Sequence, residues 1–77
     1  MPMVLRHLGF RFFFYSREGT EPMHIHVEKG DTVAKFWLEP VELAGSYGFN
    51  ASEINLLRKL VSSHRDTFTE AWHEHFN

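Results

Sequence analysis

Residues 21–38, EPMHIHVEKGDTVAKFWL, alternate between apolar and polar, turn at Gly30-Asp31, and alternate back. Pairing Lys29 with Thr32 across a two-residue turn sets Val27 opposite Ala34, Ile25 opposite Phe36 and Met23 opposite Leu38. The same register sets His26 opposite Lys35, His24 opposite Trp37 and Glu28 opposite Val33. One face is then apolar throughout, while the other carries two histidines, a lysine, a glutamate and a tryptophan. A slip of one residue would send each set to the wrong face, so the agreement of both faces constrains the register. Glycine at the first turn position suits a type II′ turn, which needs positive φ there. The apolar face reads as core, and the polar-aromatic face is where function is to be sought.

Upstream, Gly9–Ser16 (GFRFFFYS) predicts a strand, since aromatics favour a pleated, half-buried surface. Phe10, Phe12 and Phe14 form the better core set, which points Arg11, Phe13 and Tyr15 outward. Residues 16–22 read as a loop punctuated by glycine and proline. Met1–Leu8 reads as an irregular lead-in, with a strand starting at Val4 and Leu5 as the alternative. Downstream, Pro40 ends the third strand or confines it to an edge, because it has no amide to donate. Residues 41–49 (VELAGSYGF) read as a connector, extended at Val41–Leu43 and looped through Gly45 and Gly48.

Asn50 then reads as a helix N-cap, with Glu53 placed to complete a capping box and Phe49 placed to staple against Ile54. Apolar positions from Ile54 through Leu57, Leu60, Val61, Phe68, Ala71, Trp72 and Phe76 keep helical spacing, and His64 falls on the same stripe. With neither proline nor glycine after Gly48, one helix of about 25 residues is expected, a break near Ser62-Ser63 being the alternative. The predicted fold is therefore α+β: a three-stranded antiparallel sheet (β-β-β-α) packed on one long C-terminal helix, in a single domain spanning residues 1–77.

Composition narrows the function classes. A chain of 77 residues buries only about 60% of its unfolded surface, so its core is thin. The absence of cysteine removes disulfides, thiolate ligands and thiol nucleophiles. No stretch approaches the roughly 18 apolar residues of a membrane span, and a soluble, cytoplasmic protein is expected. The formal charge of −2 excludes a strongly basic nucleic-acid binder by bulk composition. Eight phenylalanines and six histidines stand out instead.

Three chemistries compete for the polar-aromatic face. His24 and His26 share it, and Glu28 continues their row as a third candidate metal ligand. His73 and His75 lie two apart on a helix and diverge, so no distal pair matches, and neither a metal nor a cofactor is expected. His24 or His26 with Lys35 across the hairpin could act on a phosphodiester, the imidazole moving a proton and the ammonium facing developing charge. Finally, Arg11, Phe13, Tyr15, His24, His26, Lys35 and Trp37 together form an aromatic-cationic surface. It suits either a small protein partner or stacked RNA bases, with a homodimer as a further candidate. Exposed rings on such a face mark an interface unless another part of the chain covers them. His64, on the apolar stripe, reads as a satisfied core-edge histidine.

Four segments carry a family resemblance: PMHIHVEKGD (22–31), AKFWLEPVEL (34–43), GFNASEI (48–54) and AWHEHF (71–76). Together they resemble a family of small bacterial proteins of unknown function, the domain-of-unknown-function family numbered 4160. Its members carry a P-x-H-x-H-V strand, here Pro22 to Val27 with Met23 in place of the commoner second proline. The resemblance runs from about Arg11 to Phe76. It implies no settled activity. It does imply a gene often placed beside another small protein, an arrangement similar to toxin–antitoxin pairs. It singles out His24 and His26, then Trp37 and Trp72, without a catalytic role for any of them.

Overall fold

A computed structural model describes residues 3–15 and 19–76. Five antiparallel strands follow one another in a meander: β1 (Met3–His7), β2 (Phe10–Phe13), β3 (His24–Lys29), β4 (Thr32–Leu38) and β5 (Val41–Tyr47). Two helices close the chain, α1 (Ala51–Ser63) and α2 (Arg65–Phe76). The fold is α+β with an antiparallel sheet, as expected, but the sheet has five strands rather than three and the helix is divided.

The β3–β4 hairpin has the register its two faces demand. His24 pairs with Trp37, Ile25 with Phe36, His26 with Lys35, Val27 with Ala34, Glu28 with Val33 and Lys29 with Thr32. The Leu38 amide donates to the Met23 carbonyl at 3.0 Å, extending the pairing by one step. Gly30 has φ +59°, the sign a type II′ turn requires at that position.

β1 pairs with β2 through a two-residue turn in which Leu8 (φ +54°) and Gly9 (φ +82°) both have positive φ. That is the pattern of a type I′ turn, and leucine is a poor residue for it. At the other edge, β5 occupies the segment expected to be a connector. Lys35 pairs with Gly45 but Phe36 with Leu43, so Ala44 is an extra residue that bulges the strand and reverses its alternation. Pro40 lies in the β4–β5 turn, after a cis Glu39–Pro40 peptide bond.

Phe10, Phe12, Ile25, Val27, Ala34, Phe36 and Leu38 share one side of the sheet and join Leu57, Leu60, Val61, Phe68 and Trp72 in one buried cluster. Both helices therefore cover the same face. Asn50 caps α1 with a complete capping box: its side chain accepts from the Glu53 amide at 2.8 Å, and Glu53 accepts from the Asn50 amide at 2.9 Å. The helix breaks at His64 without proline or glycine. Three donors converge on the Leu60 carbonyl there: the His64 amide at 3.0 Å, the His64 ring at 2.9 Å and the Ser63 hydroxyl at 3.1 Å. Side chains competing for a helix carbonyl bend the helix locally, which lets α2 turn back over the sheet instead of overhanging it. The Arg65 Nε donates to the Leu38 carbonyl at 2.7 Å and ties the start of α2 to the end of β4.

Candidate functional site

Among the described residues no helix packs across the second face of the sheet, although Trp72 of α2 reaches His24 at one end of it. Across its middle run Phe13, His26, Lys35 and Gly45, adjacent by register from β2 to β5. On one side lie Arg11, Glu28, Val33 and Tyr47, and on the other His24, Trp37 and Glu42. A recess of about 300 Å³ opens in the middle row, lined by Phe13, Tyr15, His26, Val33, Lys35, Gly45 and Ser46.

The seven residues expected on this surface do share it by parity, but they differ in access. Tyr15 is exposed, and Arg11, His26, Lys35 and Trp37 are half-buried. Phe13 retains only 3% of its surface, because the His26 ring stacks on it at 5.6 Å and the Tyr15 ring meets it edge-on at 5.3 Å. His24 is fully buried. Neither belongs to an open binding surface as expected. Phe13 forms the floor of the recess, and His24 lies outside it.

The two histidines of the HxH pair thus occupy different environments. The His24 ring meets the rings of His26 at 5.1 Å, Trp37 at 5.7 Å and, on α2, Trp72 at 4.9 Å. Its Nδ1 lies 2.9 Å from the Pro22 carbonyl, an acceptor only, so Nδ1 carries the hydrogen and donates it. His26 faces the recess, held between Phe13 and the edge of Tyr15 at 4.6 Å. The expected catalytic set of His24, His26 and Lys35 therefore does not converge in a cleft; only His26 and Lys35 line the recess together.

Two cations of the face have carboxylates, while Arg6, opposite Arg11 on β1, is exposed and has no ion-pair partner among the described residues. Arg11 donates to Glu28 at 3.0 Å, which commits the third candidate metal ligand to an ion pair. Lys35 Nζ donates to Glu21 at 2.7 Å and lies 4.6 Å from the centre of the Trp37 ring. The same Glu21 carboxylate is 3.6 Å from Nδ1 of His24. Among the described residues no three histidine, aspartate or glutamate side chains converge as metal ligands. His64 is half-buried and bonded to Leu60, a satisfied core-edge residue as read from its spacing.

Two contributors escaped the sequence reading. Glu21 precedes the first paired residue of the hairpin, so the strand register does not place it beside Lys35. Gly45 lies in a segment that reads as a connector because the Ala44 bulge breaks the alternation of the strand. The signal available for Gly45 was a glycine within VELAGSY, where strand glycines mark bulges or close approach.

No helix among the described residues is long and apolar enough to cross a membrane. Residues 9–73 match a family described as a domain of unknown function (DUF4160). No curated protein and no solved structure matches the chain.

Proposed function

Because the chain belongs to the DUF4160 family, whose description assigns no activity, function has to be argued from the outer face itself, and we propose that the protein is a cytoplasmic interaction module that docks a cognate small protein there. In this reading the partner inserts an apolar side chain into the recess over Gly45, and the two proteins form a toxin–antitoxin-like pair. The carrying observation is Gly45. Its φ lies outside the left-handed region, and a Cβ built on it meets nothing within 4 Å. Neither backbone conformation nor packing requires glycine at that point, although glycine weakens a strand. The missing side chain keeps the end of the middle row open.

Two further features favour a protein on the face. Arg11 and Lys35, the cations nearest the recess, are already paired with Glu28 and Glu21, so the recess offers phosphates less field than its composition implies. The edge strands β1 and β5 both carry bulges, which blunt strand addition and direct a partner to the face. The test is reconstitution with any small protein whose gene adjoins this one, measured by calorimetry. Gly45→Val should weaken the complex at least tenfold without lowering the melting temperature. Unchanged affinity would sink the reading.

A second reading draws on His26 and Lys35 lining one recess: a small ribonuclease in which His26 moves the proton and Lys35 faces the developing charge. His24, being buried, is left out of it. Cleavage of a mixed RNA substrate that disappears in His26→Gln would support this reading. Intact RNA, with and without divalent metals, would remove it.

A further inference from the structure

The helices do not cover the whole core face. α1 packs on β4 and β5, α2 sets Phe68 against Phe12 and Trp72 against Phe14 and His24, and beside β1 a groove of about 470 Å³ opens between β1 and α2. Met3, Val4 and Phe14 supply apolar lining on the sheet side. The helix side is a single stripe of α2 that includes Glu70, Ala71, Glu74 and His75.

The charge on this groove is one-sided. Glu21, Glu28 and Glu39 each face a cation, whereas neither Glu70 nor Glu74 has an ion-pair partner among the described residues. The two are four residues apart on one helix face, an arrangement in which like charges repel. His75, with its ring stacked on Phe14 at 6.3 Å, is the only other titratable side chain lining the groove among the described residues. Between the glutamates the wall is Ala71, small enough for another chain to approach closely. A mixed channel, apolar along Met3, Val4, Phe14 and Ala71 and carrying two uncompensated carboxylates on its helix side, is complementary to a segment that is apolar on one side and basic on the other.

We propose that this groove docks a basic amphipathic helix of a partner protein. Its apolar side chains enter between Met3 and Ala71, and two lysines or arginines about 6 Å apart, one helical turn, meet Glu70 and Glu74. This surface is separate from the outer-face recess, and the proposal does not depend on the reading of that recess.

The experiment titrates the whole chain with a synthetic helix of leucine and lysine at helical spacing, and with its glutamate counterpart. The lysine peptide should bind saturably at low ionic strength, shift the methyl signals of Met3 and Ala71, and lose at least tenfold in affinity to the double variant Glu70→Gln, Glu74→Gln. That variant removes a repulsion at two exposed helix positions, so its fold is retained and verified by circular dichroism. Gly45→Val should leave this affinity unchanged. Absence of saturable binding, equal affinity for the double variant, or signal shifts confined to the outer-face recess would each overturn the proposal.

Discussion

The rings of His24 and Trp72 meet at 4.9 Å between centroids, tilted by 63°, although one opens β3 and the other lies near the end of the last helix. This contact joins the sheet to α2 through a histidine that strand parity assigns to the outer face. Trp72 in turn meets Phe14 edge-on at 5.3 Å and Phe76 at 4.2 Å. The first histidine of the HxH pair is therefore part of the packing between layers, and the second is the one that faces the recess.

That asymmetry predicts unequal consequences for the two. His24→Ala removes a fully buried ring and its bond to the Pro22 carbonyl, and should lower stability by about 2–4 kcal/mol in urea unfolding. His26→Ala removes only half-buried ring contacts and should lower it by about 1 kcal/mol. Equal losses would contradict the division of roles.

The β1–β2 turn makes a second prediction. Leu8 is 60% exposed and holds φ +54°, a conformation that disfavours leucine by roughly 1–2 kcal/mol and that asparagine tolerates. Leu8→Asn should raise stability by about 1 kcal/mol, because the leucine contributes little burial in exchange.

The same turn explains part of what the sequence concealed. A two-residue hairpin is recognisable when it carries Asn-Gly or Asp-Gly, and Leu8-Gly9 carries neither. β1 was therefore legible only as a brief extension at Val4 and Leu5. β5 was concealed by the Ala44 bulge, which shifts its parity midway. The β3–β4 hairpin had none of these defects, so turn chemistry and both faces converged on one register. The capping box was legible because its residues are local, Asn50 and Glu53. The helix break was visible only as an alternative, since the competition at the Leu60 carbonyl depends on ring and hydroxyl rotamers at His64 and Ser63. At the candidate site, parity identified which residues share the face. It could not identify which of them other rings would cover, because Trp72 reaches His24 from α2 and the His26 ring stacks on Phe13 from β3.

For the capping box the expectation is direct. Asn50→Ala removes one hydrogen bond and leaves the Glu53 side chain without the geometry that orients it. Stability should fall by about 1 kcal/mol, with helicity lost first at the start of α1. Hydrogen exchange at the amides of residues 51–54 reports this locally.

Glu21 tests the electrostatic balance of the outer face. Its pair with Lys35 is partly exposed, the two side chains retaining 46% and 25% of their surface, so Glu21→Gln should change stability by less than about 1 kcal/mol. It also frees one ammonium toward phosphates. Any RNA affinity should rise, and its salt dependence should steepen by about one counterion. RNA affinity that does not respond would place nucleic-acid contacts away from Lys35.

The strongest contrast lies between two glycines three residues apart. Gly48 has φ +90°, and a Cβ there would lie 2.6 Å from the Thr32 methyl carbon, so both conformation and space demand glycine. Gly48→Ala should lower stability by about 1–3 kcal/mol. At Gly45 neither demand exists. Gly45→Ala should raise stability by about 0.5–1 kcal/mol through the reduced freedom of the unfolded chain. Valine, which suits a strand, should do at least as well. A residue whose replacement stabilises the fold but weakens partner binding is set by the interaction and not by the sheet. Thermal unfolding of Gly45→Ala, Gly45→Val and Gly48→Ala measured side by side decides the structural half of that statement. Destabilisation at Gly45 comparable to that at Gly48 would show that the strand itself needs the glycine, and the recess would lose its main support as a docking site.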